Sequence, residues 1–557
     1  MGKMNYRSLS FHAVGGIPDP ALVRRGAELG FNDITFRTEG RTVSELEGMK
    51  KRGDQEGYFA LADELDMSIS IWTHEIEDYD PQWGPVAVEN DRLWEELASR
   101  YEYVLGELFP ELDHLALTVT ETYCWITDPQ LLKKLVESLN EVCRDNDAEL
   151  ILRSFIWHPQ QLEDVRETIL TLPEDVSVMT KAVPNDWHFR SIHHPLIGDI
   201  GERTEYVEQD LANEYARRDF TAGCNTDILE EQFDYWERND VDGFNLRVAR
   251  YVPEGGGQMV SRPYTAGEFM QADILGHPNE ANLWAVGYLS QGKSVEQAWD
   301  DFATYYFGDP AAGEMIKALK PTGEILNEGL CVDALHFGRT NWNGNRMTDR
   351  GGTPGHRSML SRYLGTIKAR PHTEEEALNH LYSNPFAQRP ARWRFDESYV
   401  HTYHRIRKGH PDIIKEKEAA YRDALRKVER SLELIDSVEE ELPEGAHEYF
   451  RFKVEENKFH LQAMSEAQLA WLKANNRLYY SGSNAVYYQE EVFGDIKQHL
   501  AKLEELIPRY EEEATVEWAG RQHNLKRGPY IDIVRYLHEF RQYWDLDTSE
   551  MYSKTFS

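Results

Sequence analysis

Three carboxylates and two cations stand where apolar runs in the first half of the chain give way to polar segments. They are Glu121 in LALTVTETYCW, Arg153 in ELILRSFIWHP, Lys181 and then Asp186 in VSVMTKAVPNDWHF, and Glu214 in TEYVEQDLANEY. These residue types suit the cleavage of a glycosidic bond. One carboxylic acid protonates the leaving oxygen while a carboxylate activates water or attacks carbon. Neighbouring anions raise the pKa of one member of such a group, so that it stays protonated near neutrality. The two cations fit a substrate that is itself an acid, because Arg153 offers a planar fork matching a uronate carboxylate and Lys181 a point charge.

Other groups gather near the same run ends. Trp72, Trp125, Trp157 and Trp187 would give apolar faces for pyranose rings, although a tryptophan is more usually core filling. His188, His193 and His194 in DWHFRSIHHP lack the H-x-x-x-H spacing of a helical zinc site, so contact with sugar hydroxyls fits them better than a metal. No cofactor is expected. Taken singly, each residue also has a structural alternative. Glu121 and Glu214 would serve as ordinary loop acids, the latter pairing with Arg217 or Arg218. Arg153 would form a buried ion pair, and Lys181 with Asp186 a solvated one. The conjunction carries the functional reading.

The elements that must position these groups follow from the pattern of apolar residues. Eight short β-branched runs alternate with amphipathic segments: Tyr6 to His12, Asp33 to Arg37, Ser68 to Thr73, His114 to Thr120, Glu149 to Trp157, Val176 to Lys181, Thr204 to Leu211 and Gly243 to Val248. Alternation of this kind marks βα units around a parallel sheet. Eight of them predict an α/β fold, a (β/α)8 TIM barrel over residues 1–275, with its chemistry on the loops after the strands. The alternative is an open doubly wound sheet, but no G-x-G-x-x-G follows an early strand, and Gly255 to Gly257 reads as a loop. Within the barrel, Asp128 and Pro129 predict the start of a helix whose Leu132, Leu135, Val136, Leu139 and Cys143 share one face. A second, from Asp227 to Arg238, places Ile228, Phe233 and Trp236 together.

From about Asn279 the period becomes helical. In KEKEAAYRDALRKVERSLELIDSV, the residues Tyr421, Leu425, Val428, Leu432 and Ile435 form one apolar stripe. Residues 276–557 are therefore expected to form a mostly helical C-terminal domain, with an irregular insertion near 337–370. The stripe is buried either internally or against a second copy, making a homodimer through this domain a candidate assembly.

Composition excludes several classes. Of 557 residues, 61 are Lys or Arg and 97 Asp or Glu, leaving a formal charge of −36 that repels phosphate backbones and anionic lipid heads. Neither a nucleic-acid nor a membrane partner is expected. No run approaches 18 apolar residues and the N-terminus has no apolar leader segment. The four cysteines, Cys124, Cys143, Cys224 and Cys331, form no CxxC pair. Together these favour a cytoplasmic protein, with a trimmed secreted or periplasmic one as the alternative.

At these motifs the sequence resembles the α-glucuronidases of glycoside hydrolase family 67. LRSFIW (152–157) looks like the family's WRAF-like strand end, KAVPNDWHF (181–189) like its lysine and GPxDFQ turn, and PLIG (195–198) like its PLFG. ANEYARR looks like its Q-E-Y strand end, and NEANLWAVGYLSQGKSVEQAWDDFATYYF is similar to the helix pair opening its helical domain. The order agrees over roughly residues 60–310. The resemblance implies an inverting α-glycosidase in which Glu121 is the acid, Asp186 and Glu214 hold and deprotonate the attacking water, and Arg153 and Lys181 bind the uronate. Around the acid the chain reads VTETYCW, where the family has D-S-E-G-Q-P-G, and Leu117 replaces a family lysine. NDWHF stands for I-D-F-Q, and the family's N-terminal β-sandwich has no counterpart here.

The expected activity is removal of an α-linked uronic acid from an oligosaccharide or polysaccharide, with Glu121, Asp186 and Glu214 catalytic. Arg153, Lys181, Trp72, Trp157, Trp187 and His188 would bind substrate, and a uronic-acid-containing oligosaccharide is the expected partner. The alternatives are a barrel glycosidase for a neutral or substituted sugar, and a non-catalytic carbohydrate-binding or scaffold protein.

Overall fold

A computed structural model describes residues 4–12, 20–37, 43–74, 81–118, 128–154, 159–182, 193–211, 221–248, 274–332, 335–336, 409–480, 490–510, 513–526 and 537. Eight parallel strands close into a barrel in chain order. They are β1 (Tyr6–His12), β2 (Asp33–Arg37), β3 (Ser68–His74), β4 (His114–Thr118), β5 (Glu149–Arg153), β6 (Ser177–Lys181), β7 (Glu205–Asp210) and β8 (Gly243–Arg247). Helices follow most strands, so the protein is a (β/α)8 TIM barrel continued by a C-terminal helical region. Of the described barrel helices, α1 is Pro20–Glu28, α2 Val43–Gln55, α3 Tyr58–Glu64, α4 Asp91–Tyr103, α5 Pro129–Asp145, α6 Pro159–Thr171, α7 Thr226–Arg238 and α8 Glu280–Leu289.

Strand registry decides which side chains meet inside. Trp72, Ala116 and Ile151 lie level on neighbouring strands and cluster inside with Tyr6, Met179 and Tyr206. Because successive strand residues face opposite ways, this fixes Arg153, Lys181, Glu208 and Arg247 on the inner face. The alternate set faces the helices and has apolar residues at its centre: Leu9, Ile34, Ile71, Leu115, Leu152, Val178, Val207 and Leu246 are all 0–1% exposed. Each such burial contributes roughly 1.5–3 kcal/mol. The barrel is thus held from outside by packing and filled inside largely by polar groups. Closure at the seam needs Gly243, since a Cβ there would lie 2.2 Å from the carbonyl oxygen of Tyr6.

The helices follow the sequence reasoning with local rotations. In α5 the Asp128 carboxylate accepts from the Leu131 amide at 2.8 Å, Pro129 opens the first turn, and Leu132, Leu135, Val136, Leu139 and Cys143 are buried. In α7 the buried positions are Leu229, Phe233 and Trp236, while Ile228 is only half-buried. Leu229, not Ile228, continues the stripe at i−4 from Phe233 and i−7 from Trp236.

The chain divides into two compact units, one of Met1–Ala212, Thr226–Leu275 and Glu280–Trp299, the other of Asn213–Asn225, Gly276–Asn279 and Asp300–Ser557. After α9 (Val295–Leu319), which is broken at Gly308 with φ 73°, the second unit contains α10 (Thr322–Leu330), a short β9–β10 pair (Cys331–Val332, Leu335–His336), α11 (Pro411–Ser437), α12 (Ala446–Tyr480) and α13 (Glu490–Tyr510). α11 packs on α10 and α12. Its buried stripe runs through Tyr421, Ala424, Val428, Ser431, Leu434 and Ile435, with Leu425 and Leu432 half-buried. The small residues Ala424 and Ser431 are buried where the neighbouring Leu425 and Leu432 were expected. An antiparallel hairpin, β11 (Glu513–Trp518) and β12 (Arg521–Lys526), which the helical periodicity did not announce, seats Trp518 between Phe307, Tyr449 and Phe450. The expected insertion near 337–370 and the glycines 255–257 lie outside the described residues.

Candidate active site at the C-terminal mouth of the barrel

Arg153 and Lys181 are the last residues of β5 and β6, and both point inward at the C-terminal end of the barrel. The structure brings them together on a residue the sequence reasoning passed over, Glu208 of β7, which lies level with Lys181. Arg153 Nε donates to Glu208 Oε2 at 2.5 Å, and Lys181 Nζ stands 3.8 Å from Glu208 Oε1. All three are nearly sealed from solvent, at 1%, 3% and 1% exposure for Arg153, Lys181 and Glu208. A charge in such a place survives only when paired.

Electrostatics identify a fourth member. Burial pushes the Glu208 carboxyl up, but the charges of Arg153, Lys181 and Arg247, with the Arg153 hydrogen bond, outweigh it and hold the group below the ordinary carboxylate range. Arg247, the buried last residue of β8, is also absent from the sequence-based set. Among the described residues, three cations thus surround one carboxylate. Alternation would have found both missed residues: in EYVEQD, Glu208 shares the inner face with Tyr206, and in GFNLR, Arg247 shares it with Asn245.

Trp72 lies beneath this cluster. Its Nε1 donates to Thr118 Oγ1 at 2.7 Å, and the Arg153 guanidinium lies 4.2 Å from the ring centroid. The ring is fully buried, with the Arg153 guanidinium against it. A cation over indole in a desolvated setting is worth about 2 kcal/mol. The remaining sequence-based candidates, Glu121, Asp186, Glu214, Trp157, Trp187 and His188, lie outside the described residues, as does Trp125.

Deeper in the barrel a second polar layer joins strands β2, β3, β4 and β5. Ser70 Oγ donates to Asp33 Oδ2 at 2.6 Å and lies 3.1 Å from His114 Nδ1, which is 3.4 Å from Asp33; His114 Nε2 is 3.7 Å from Glu149. Burial lowers the His114 pKa, but the hydrogen bond and charge of Asp33, with the charges of Glu149 and Asp113, raise it above its ordinary value overall. This layer is nearer the N-terminal end of the barrel, where polar residues read as structural.

The other histidines are placed by packing. His193 stacks on Tyr235 with ring centroids 3.7 Å apart. Burial holds His194 neutral, its pKa lowered to about 3, and its Nδ1 accepts the Leu196 amide. Among the described residues no group of three His, Cys, Asp or Glu side chains forms a metal site. Cys143 and Cys224 are buried and unbridged, their thiols pushed up to about 12 by burial, which leaves them unreactive.

No family model matches the chain, and no curated protein sequence matches it. Solved structures do resemble it. A GH138 enzyme targeting pectin rhamnogalacturonan II superposes with a TM-score of 0.56 at 12% identity, over 91% of this chain and 61% of that one. The protein shares its barrel fold. This chain therefore spans about three-fifths of that enzyme's length. An O-GlcNAc hydrolase of Thermobaculum terrenum aligns over 99% of this chain and 98% of its own at 9% identity and a TM-score of 0.43. A GH30 endoxylanase from Clostridium papyrosolvens aligns over 52% and 72% at 10% identity and a TM-score of 0.34. Among the described residues no helix is long and apolar enough to cross a membrane.

Proposed function

We propose that the protein is a glycoside hydrolase that releases an α-linked uronic acid, with inversion, from an oligosaccharide or polysaccharide. The observation that carries this reading is the meeting, among the described residues, of Arg153 and Lys181 at Glu208, with the charge of Arg247 also acting on that carboxylate, at the end of the barrel where this fold keeps its chemistry. A uronate carboxylate is the ligand whose charge and planar geometry match it. The likeness in fold to an enzyme targeting a pectin agrees with a carbohydrate substrate.

Chain length supports the carboxylate assignment. Glu121 follows the end of β4 at Thr118 by three residues, Asp186 follows Lys181 of β6 by five, and Glu214 follows Asp210 of β7 by four. In this reading Glu121 protonates the departing oxygen, and Asp186 and Glu214 orient and deprotonate water on the opposite face of the sugar. Arg153 and Lys181 grip the carboxylate of the ring, Trp157, Trp187 and His188 contact the sugar, and Trp72 acts through Arg153. Assembly as a homodimer through the helical residues 276–557 and residence in the cytoplasm belong to the same proposal.

The reading is tested by sugar release from a panel of uronic-acid and neutral glycosides. Arg153→Ala should reduce kcat/KM on uronosides at least tenfold more than on neutral glycosides; equal loss on both would favour a neutral-sugar glycosidase that uses Arg153 only in its ion pair. Glu121→Gln should lower the rate about 10²- to 10⁴-fold, and NMR of the first anomer released should show inversion. Binding without turnover in the unaltered protein would favour the scaffold alternative.

A further inference from the structure

We propose that Asn457, in the middle of α12, is a positioning residue for the reaction, which fixes the returning limb of the β7–α7 connection; this rests on the reading above, in which that connection supplies the base Glu214. The connection runs from Leu211 to Asn225, and its last five residues, Thr221 to Asn225, are buried. Side chains distant in the sequence hold their backbone. Asn457 Nδ2 donates to the Ala222 carbonyl and to the Thr322 carbonyl, each at 2.9 Å, so one amide group joins the connection to the first turn of α10. Thr322 Oγ1 accepts the Cys224 amide at 3.1 Å and donates to the Leu319 carbonyl at 2.7 Å. Asn279, just before α8, accepts the Gly223 amide at 2.7 Å and donates to the Thr221 carbonyl at 3.2 Å. Gly323 approaches so closely that a Cβ there would run into the Cys224 carbonyl oxygen. All of these residues belong to the second compact unit.

Stability alone does not call for an amide at 457. Phe450, Val454, Asn457, Leu461 and Met464 recur at alternating steps of four and three residues along α12, and all are 0–1% exposed. A leucine would complete this stripe, whereas a buried amide carries a desolvation cost that its hydrogen bonds must offset. A polar residue at one position of an apolar seam fixes which groups meet across it. Here it brings together the start of a helix and a connection of the barrel, the kind of segment on which this fold places its chemistry. At the other end of the same connection the Leu211 amide donates to the Arg247 carbonyl at 2.9 Å. Both ends are thereby fixed, and Glu214 lies on the chain between them.

The test compares the wild-type chain with Asn457→Leu, which completes the apolar stripe, Asn457→Gln, which keeps the amide at longer reach, and Thr322→Val, which removes the hydroxyl on the same segment. Hydrogen exchange read by mass spectrometry should speed at least about tenfold at the amides of residues 222–225 in Asn457→Leu and Thr322→Val, with strands β1 and β4 unchanged. On the panel glycoside that wild type cleaves best, both variants should lower kcat at least about tenfold with KM within about threefold. The acidic limb of the kcat profile against pH, which reports ionisation of the base in the bound complex, should also be displaced. Asn457→Gln should recover part of each change. Should Asn457→Leu fail to fold, Thr322→Val and Asn457→Gln carry the same comparison. Faster local exchange with kcat and its profile unchanged overturns the positioning role and leaves the glycosidase reading standing. Unchanged exchange in the folded variants does the same, as does a fall in kcat with the acidic limb unmoved, the mark of a smaller folded fraction. A wild type that cleaves no glycoside of the panel overturns both.

Discussion

Glu205, the first residue of β7, faces away from the barrel interior and is 3% exposed. One carboxylate oxygen accepts the Gly198 amide at 2.9 Å; the other is buried without a hydrogen-bond partner among the described residues. Burial pushes this carboxyl from its ordinary 4.5 up to about 8; the charges of Asp242 and Asp199 add to the rise and the Gly198 bond opposes it. The folded state therefore keeps a proton that the unfolded chain releases. The associated stability is fully present below about pH 4.5 and is lost as pH rises through about 8. At about 1.4 kcal/mol per pH unit, the change over that window is on the order of 5 kcal/mol. Glu205→Gln keeps the shape of the neutral acid and cannot ionise. Urea unfolding of both proteins at pH 5, 7 and 9 should show nearly equal stability at pH 5, with the variant ahead by several kcal/mol at pH 9. The remaining ionisable groups are shared, so the difference isolates one site. Parallel pH profiles for the two proteins would refute the reasoning.

The raised pKa of His114 has the opposite chemical origin and the same sign: its stabilisation is complete below the ordinary value of 6.5 and fades as pH rises through the higher folded value. His114→Gln should therefore cost more stability at pH 5.5 than at pH 8.5, read from urea midpoints; an equal cost at both would refute the assignment. Gly243→Ala forces a Cβ to within 2.2 Å of the Tyr6 carbonyl oxygen. It should cost at least about 3 kcal/mol, seen as a lowered midpoint or as loss of soluble protein.

The barrel was legible because the outer face of every strand carries at least one central apolar residue. Leu9, Ile34, Ile71, Leu115, Leu152 and Val178 are enough to mark six strands, and the strand starts agree to within one residue. The inner face was harder to read. Arg153 stood out as a charge inside an otherwise apolar run and Lys181 as the residue closing its strand, but Glu208 sits within EYVEQD, where an acid looks like a solvent-facing residue of an ordinary alternating strand. Only closure of the sheet turns that face inward. Trp72 illustrates the converse. Its place near a strand end suggested an open ring, while the neighbouring registry brings Arg153 over it. In α11, periodicity gave the stripe but not its rotation, because Ala424 and Ser431 are small and do not mark a buried face as leucines do.

The polar filling of the barrel also bears on how it assembles. Asn245 Nδ2 donates to Thr35 Oγ1 at 2.8 Å across 210 residues of chain and to Ser8 Oγ at 3.3 Å across 237. A half-built sheet of β1 to β4 would leave the hydroxyls of Ser8 and Thr35 without that amide. It would also leave His114 without Glu149 from the fifth strand. Partial assemblies are thereby penalised, and the reward arrives when the last strand docks beside the first. The same hydroxyls and charges that make this interior a poor oil drop act as a latch, disfavouring long-lived open fragments and pressing the eight strands to form as one unit.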